Sequence, residues 1–551
     1  MKLKNQVNSK NMAPTLFFVY FFVGLYTFRD YGISIDEEFH RFCGLFWLDY
    51  ILGFTPFDQI KTVVFEKLTE AKSLNVGSPE DFPFYGVIFD LPVVFLEVLF
   101  KIEDSQNYFY FKHFLNFLLF FVSSIFFYKL MLNRFLNSKT ALIGVLFFIL
   151  SPRIYGESFF NNKDIVFLSL TTIALYYCFK SIDKINYKNL LIFSIFCSLA
   201  TAQRIIGIFL PITFIIFYFL ATISDNKKLR DINLIIYFVI FYLIFLILFW
   251  PALWDNPFKN IILAINYFSN VPLAIKMLFN GNYISNLNLP YDYVFFWILI
   301  STPIFYIVLF ALGYIETIKN LFFNLKSIDN RKSGDDLWKN SNEKKDLLVF
   351  FVITSFLAFL IFYNVSLYTG WRQIYFLNIF IIYFATLGFD KIDLYLKSKR
   401  NKKIFYMGVL LYLVIILHKV VVYHPYQNIY FNSLYSNEKI HKKFEVDYWG
   451  LSGKKFLESI LNLENEKNLV KIGVASYLPL ERSLKMIPKE DRKKIKVIGQ
   501  DFKNADYIYT NFMSEVDKNY NDKYKIPAEF SKIDEFILNN VNVYEVYKKT
   551  K

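Results

Sequence analysis

Three stretches gather the residues able to do acid–base or anion chemistry. The first, DYGISIDEEFHRFCG (30–44), carries Asp36, Glu37, Glu38, His40 and Arg41. Carboxylates set side by side suit a general base acting on a hydroxyl, or the ligands of a divalent cation. The second, SPRIYGESFFNNKD (151–164), brings Arg153, Glu157, Asn161, Asn162 and Asp164 into one turn between apolar runs. Asp164 stands where the next apolar run begins, which is also where a helix N-cap would stand. Arg204 interrupts an apolar run, and Arg372 lies in NVSLYTGWRQIYF (364–376). Guanidinium binds phosphate through paired hydrogen bonds, so Arg153, Arg204 and Arg372 are candidate ligands for one. The third, HPYQNIYFNSLY (424–435) with FEVDYWG (444–450), offers His424 and Tyr426. With His40 and Asn162 these read as acceptor-side or interface residues. There is no GxxxxGK[ST] loop, no HExxH and no CxxC.

The elements that hold these residues are set by composition. The 551 residues are 55% hydrophobic and 21% aromatic. A soluble domain of that composition would lack polar residues to cover its surface. Apolar runs at 13–29, 108–132, 139–152, 164–180, 189–203, 205–223, 232–250, 291–316, 347–363, 372–390 and 404–423 read as eleven membrane spans. Residues 83–101 are also apolar, but contain Asp90, Pro92 and Glu97. A central carboxylate costs about 2.5 kcal/mol or more on insertion scales, so this stretch reads as an interfacial helix on the outer leaflet.

The net charge of +14 then acquires a meaning. With eleven spans, the segments holding Lys2/Lys4/Lys10, Arg134/Lys139, Lys180/Lys184/Lys188, Lys227/Lys228/Arg230, Lys319 to Lys345 (including Arg331 and Lys332) and Lys397 to Lys403 fall on one side. That is the positive-inside pattern, with a cytoplasmic N-terminus. The acids and arginines singled out above fall on the opposite side of an inner (plasma) membrane. The lysines form no aromatic-interleaved face, which argues against nucleic acid. Cys43, Cys178 and Cys197 show neither metal spacing nor a disulfide framework.

The expected organisation is a helical polytopic module over 1–423, with interfacial helices in loop 30–107, and an extracytoplasmic α/β domain over 424–551. In that tail, 471–476, 494–499, 506–512 and 541–547 read as strands and 453–464 as an amphipathic helix.

The acidic pair right after the first span, the SPR…NNKD loop, YTGWRQIYF and YHPYQNIYFN…DYWG together resemble GT-C glycosyltransferases. They are similar to the bacterial branch of family 39, the protein mannosyltransferase and aminoarabinose transferase group. The resemblance covers roughly 10–450. It implies transfer of a sugar from a polyprenyl-phosphate carrier to a lipid, glycan or protein acceptor, with inversion. It implies Asp36 as general base with Glu37 beside it, Asp164 as the second acidic position, and the three arginines at the donor phosphate. Because the loop reads Asp-Glu-Glu, the second partner is Glu37 or Glu38. A divalent metal shared by Asp36 and Asp164 stays open, and no other cofactor is implied. The competing class is a transporter or lipid flippase, which should show an inverted repeat and polar groups at mid-membrane depth.

Overall fold

Apolar runs long enough to bury their own backbone hydrogen bonds dictate the fold, because lipid offers no alternative partners. In the computed structural model, residues 2–72, 77–224, 232–269, 274–326, 337–435, 439–464, 469–514 and 522–550 are described, with side chains from residue 12 onward. Lys227, Lys228, Arg230, Arg331 and Lys332, used above for orientation, lie outside the described residues, as do the side chains of Lys2, Lys4 and Lys10. The helical part runs α1 (Lys2–Thr27), α2 (Glu37–Leu52), α3 (Asp58–Lys72), α4 (Asp90–Leu99), α5 (Ser105–Phe135), α6 (Ser138–Ile149), α7 (Pro152–Phe160), α8 (Asp164–Asp183) and α9 (Tyr187–Gln203). It continues with α10 (Phe209–Ser224), α11 (Ile232–Phe249), α12 (Pro257–Ser269), a hairpin of β1 (Lys276–Phe279) and β2 (Asn282–Ser285), α13 (Tyr293–Ser301), α14 (Ile304–Lys326), α15 (Ser341–Phe362), α16 (Leu377–Tyr395) and α17 (Lys399–Val422).

The chain is a multi-pass helical membrane protein. All eleven runs fold as helix, but not all as single full-length spans. Among the described residues seven helices are long and apolar enough to cross a membrane, or eight if α6 and α7, bent by 63°, count as one. Pro152 opens α7 and separates it from α6, since proline cannot donate the helix hydrogen bond. The run 291–316 is likewise two helices, parted at Thr302–Pro303. Helices α14 and α16 pack closely because Gly313 and Gly388 face each other's backbones. A Cβ on Gly313 would come within 2.1 Å of the Phe384 carbonyl oxygen.

The ambiguous stretch 83–101 yields only the ten-residue α4, which packs against α2. Its carboxylates face neither lipid nor bulk water. Asp90 pairs with Lys112 at 3.1 Å, and Glu97 with Arg41 at 2.6 Å and Lys67 at 2.7 Å.

After α17 the chain lies against the helical module up to α18 (Ser452–Leu463). It then forms a sheet of β3 (Val470–Val474), β4 (Ile495–Val497), β5 (Tyr507–Thr510), β6 (Phe530–Leu538) and β7 (Val541–Lys549), in the order β4-β3-β5-β7-β6. Strand β3 is parallel to β4 and β5; β7 runs antiparallel to β5 and β6. Phe456, Leu457 and Ile460 of α18 pack on Ile472, Val474, Tyr509 and Val546 of the sheet. Strand β6 is absent from the sequence reading. It is an edge strand studded with Lys532, Asp534 and Glu535, so its outward face hides the alternation. Its overlooked signal is the Asn539-Asn540 turn, both residues at positive φ, which joins it to β7.

Candidate functional site

The loop after α1 turns into α2 through a reciprocal cap. The Glu37 amide donates to the Ser34 carbonyl at 3.2 Å, and the Ser34 amide donates to Glu37 Oε2 at 2.7 Å. This places Asp36 at the N-cap of α2, where the helix dipole favours a negative charge. Asp36 Oδ2 accepts from Arg372 at 2.9 Å. The Asp36 side chain is 37% exposed, so solvent reaches it. Burial raises its pKa, but the guanidinium of Arg372, with Arg482 further off, outweighs burial and holds it below the usual carboxylate value.

Asp164, buried at the start of α8, forms an ion pair with Arg204, which caps the end of α9. The two pairs belong to one electrostatic cluster. Arg372 feels both Asp36 and Asp164. Tyr368 feels Arg372, Asp36 and Arg204, and Tyr85 feels Asp36 and Arg204. The Arg372 guanidinium lies over the Trp449 ring, 4.2 Å from its centroid. Each arginine uses only part of its fork on its carboxylate. The Nε atoms of Arg204 and Arg372 are buried without a hydrogen-bond partner. A guanidinium carries five donors, so each of these arginines has hydrogen-bonding capacity that its carboxylate does not use.

A chain of buried hydrogen bonds runs beneath Asp36. Asn162 Nδ2 donates to both Asp90 oxygens at 2.7 and 2.9 Å, so its Oδ1 faces His40. His40 Nδ1 therefore carries a proton and donates to Asn162 at 2.8 Å, leaving Nε2 to accept from the Tyr85 hydroxyl at 2.5 Å. Burial lowers the His40 pKa against the pull of Asp90 and Asp36, which favours this neutral tautomer. Lys163 sits 3.6 Å from the Tyr85 ring centroid and donates to the Gly86 carbonyl at 2.7 Å. Burial and the neighbouring Arg204 push its pKa down to about 7.

Several predicted residues stand elsewhere. Glu37 turns into the interior and meets His113 Nε2 at 3.1 Å, because successive helix residues point about 100° apart. Glu38 pairs with Lys485 at 2.5 Å and Arg482 at 3.4 Å, both outside the helical module. Neither acid faces the arginines beside Asp36. Arg153 does not join Asp36 and Asp164. It is buried between the rings of Trp297 and Phe431 and donates to the Tyr430 carbonyl at 2.9 Å. His424 pairs with Asp30 at 2.8 Å. Tyr426 is buried against Phe536 of β6, a packing contact within the tail. Asp36 and Asp164 were also candidate metal ligands. Among the described residues no three His, Cys, Asp or Glu side chains are grouped to hold an ion, and each carboxylate already faces a guanidinium.

Tyr85, Lys112, Lys163, Trp449 and Arg482 complete the surroundings and were not singled out by sequence, and Asp90 was noted only as a carboxylate that keeps 83–101 from spanning. Lys112 had a signal: a lysine inside an apolar helix needs a partner, and Asp90 is that partner.

The family described as dolichyl-phosphate-mannose-protein mannosyltransferase matches residues 96–254. That range includes Asn162, Asp164 and Arg204 and ends before Arg372. None of the curated proteins matches the chain. Among solved structures, the crystal structure of ArnT from Cupriavidus metallidurans bound to undecaprenyl phosphate aligns with 11% identity and a TM-score of 0.40, over 84% of this chain and 88% of that one. Through the family match over α4 to α11, the chain is similar to the glycosyltransferases that its acidic loop and NNKD turn resemble.

Proposed function

We propose that this protein is an integral-membrane glycosyltransferase that moves a sugar from a polyprenyl-phosphate carrier to an acceptor hydroxyl on the non-cytoplasmic side. The observation that carries the reading is one cluster holding a solvent-reachable, ionised Asp36 and two arginines with idle Nε donors. Arg372 and Arg204 bind the phosphate of the donor. The acceptor oxygen attacks the anomeric carbon from the face opposite the phosphate, and the carbon–oxygen bond to phosphate breaks, inverting the configuration. The acceptor proton goes to Asp36, and the phosphate leaves with the bonding pair, stabilised by both guanidinium groups.

A carboxylate with a depressed pKa is a weak base, which the same geometry corrects. A donor phosphate that takes up Arg372 loosens its hold on Asp36, so the base strengthens when the donor is in place. His40, neutral and fixed by Tyr85 and Asn162, orders the floor beneath Asp36.

Mass spectrometry of envelope lipids, glycans and proteins, with and without the chain, tests the reading. One sugar absent without the chain, restored by the wild type and not by Asp36→Asn, is the expected result. Identical sugar content in all three samples would overturn it.

A further inference from the structure

The region after α17 is not an appendage to the helices; it reaches the site at three points. The Trp449 carbonyl accepts from the Ile35 amide at 2.9 Å, one residue before Asp36. The Trp449 ring lies under Arg372. On the other flank, Arg482 in the turn Leu480–Met486 donates to the Ile35 carbonyl and lies 3.4 Å from Glu38 through its Nε, while Lys485 pairs with the same carboxylate. Both peptide groups of Ile35 and the residue two after Asp36 are thus held by tail residues. The fit is tight: a Cβ on Gly32 would come within 2.4 Å of the Leu451 carbonyl oxygen. The turn carrying Arg482 is itself anchored to the module, since Gln106 donates to the Met486 carbonyl at 2.6 Å and Arg492 pairs with Asp104 at 2.9 Å.

We infer that Arg482 of the C-terminal domain is a positioning residue for Asp36, clamping the loop from Ile35 to Glu38 so that the carboxylate faces Arg372. Its cation also sits within electrostatic reach of Asp36. The other groups in that field are Arg372, His40, Tyr85 and Tyr368, with Glu38 as the pairing partner of Arg482. This inference rests on Asp36 being the base.

The test uses the full chain in membranes with a polyprenyl-phosphate sugar donor, following release of polyprenyl phosphate across pH. Arg482→Gln removes the cation. Its expected effect is a kcat loss of up to about 10²-fold, the cost of misplacing a reacting group by about 1 Å, with KM for the donor nearly unchanged. The acid limb of the rate profile moves to higher pH, because Asp36 loses one of the charges that keep it ionised. Arg482→Lys keeps the cation and restores the position of the acid limb while recovering only part of kcat. Should Arg482→Gln not accumulate, Lys485→Gln provides the second reading, with the same fall in kcat at constant KM. A wild-type kcat and profile in every variant that accumulates, beside an inactive Asp36→Asn, overturns the clamp and leaves the function standing. Activity surviving in Asp36→Asn overturns the function and the clamp with it.

Discussion

The two ends of the helix bundle use the same residue types for opposite purposes. At the end away from Asp36, Arg134 grips Asp346 with both arms of its fork, Nε to Oδ1 at 2.6 Å and the terminal nitrogen to Oδ2 at 2.5 Å. Tyr383 adds a third bond to Asp346 at 2.6 Å. Nothing there is left open: neither Arg134 nor Asp346 has a buried side-chain atom without a partner, and Asp346 is 4% exposed. At the other end, Asp36 and Asp164 each hold one arginine by a single arm, both Nε atoms are idle, and Asp36 faces solvent. An ion pair that saturates its fork ties helices together. One that leaves donors unused is what the proposed phosphate site requires.

Asp36→Asn breaks this contrast most strongly. It should lower sugar transfer by about 10²- to 10⁴-fold, the usual worth of a general base, with the amount of membrane-inserted protein unchanged. Assay of transfer against protein level checks it. Asp346→Asn should do the reverse. Leaving Arg134 without its buried counter-charge costs about 3–5 kcal/mol, so less folded protein accumulates while each folded molecule keeps its activity. A thermal-unfolding series in detergent reports the first part, and activity per folded molecule the second.

Arg372→Lys and Arg204→Lys sharpen the comparison at the site itself. Each keeps a charge but loses the fork, and kcat/KM should fall about 10- to 100-fold, as expected when a charged hydrogen bond worth about 1.5–3 kcal/mol is lost. Equal kcat/KM for arginine and lysine at both positions would contradict phosphate binding through Nε.

pH gives a smaller effect with a definite sign. Because the native Asp36 pKa is lowered, the carboxylate stays ionised through neutral pH. The kcat/KM for donor should decline only as pH falls through that depressed value, whereas kcat, which reports the donor-bound enzyme, should decline at a higher pH. The stability this pair adds is complete above the unfolded pKa and is lost as pH falls through the depressed one. Arg372→Gln should move the acid limb of any residual rate upward. The smallest expected effect is none: a chelator should leave transfer unchanged, since both carboxylates face guanidinium groups.

Much of the site's composition was legible in the sequence, because charges are scarce in apolar runs and each one needs a reason. Asp164, Arg204 and Arg372 stood out at span boundaries and Asp36 among adjacent acids in a loop; Asp36 pairs with Arg372 and Asp164 with Arg204, in one electrostatic cluster. Arg153 stood out equally, yet it packs between Trp297 and Phe431. A cation near an interface can serve aromatic rings as well as phosphate, and sequence does not separate the two uses. Glu37 and Glu38 looked equivalent beside Asp36. The rotation of α2 sends one to His113 and the other to Lys485.

The amino-acid order alone determined the helical membrane class, the tail with its α/β pattern, and the gathering of acids and arginines at span boundaries. Hydropathy and the cost of burying a charge act locally, so they can be read along the chain. Tertiary structure decided which carboxylate met which guanidinium, that Asp90 and Lys112 would lie beneath Asp36, and that Arg482 would hold the Asp36 loop. Asp36 and Arg372 are 336 positions apart and Ile35 and Arg482 are 447 apart, and even the nearer pairs sit on different helices; only the packing of helix against helix, and of tail against helix, brings them within bonding distance.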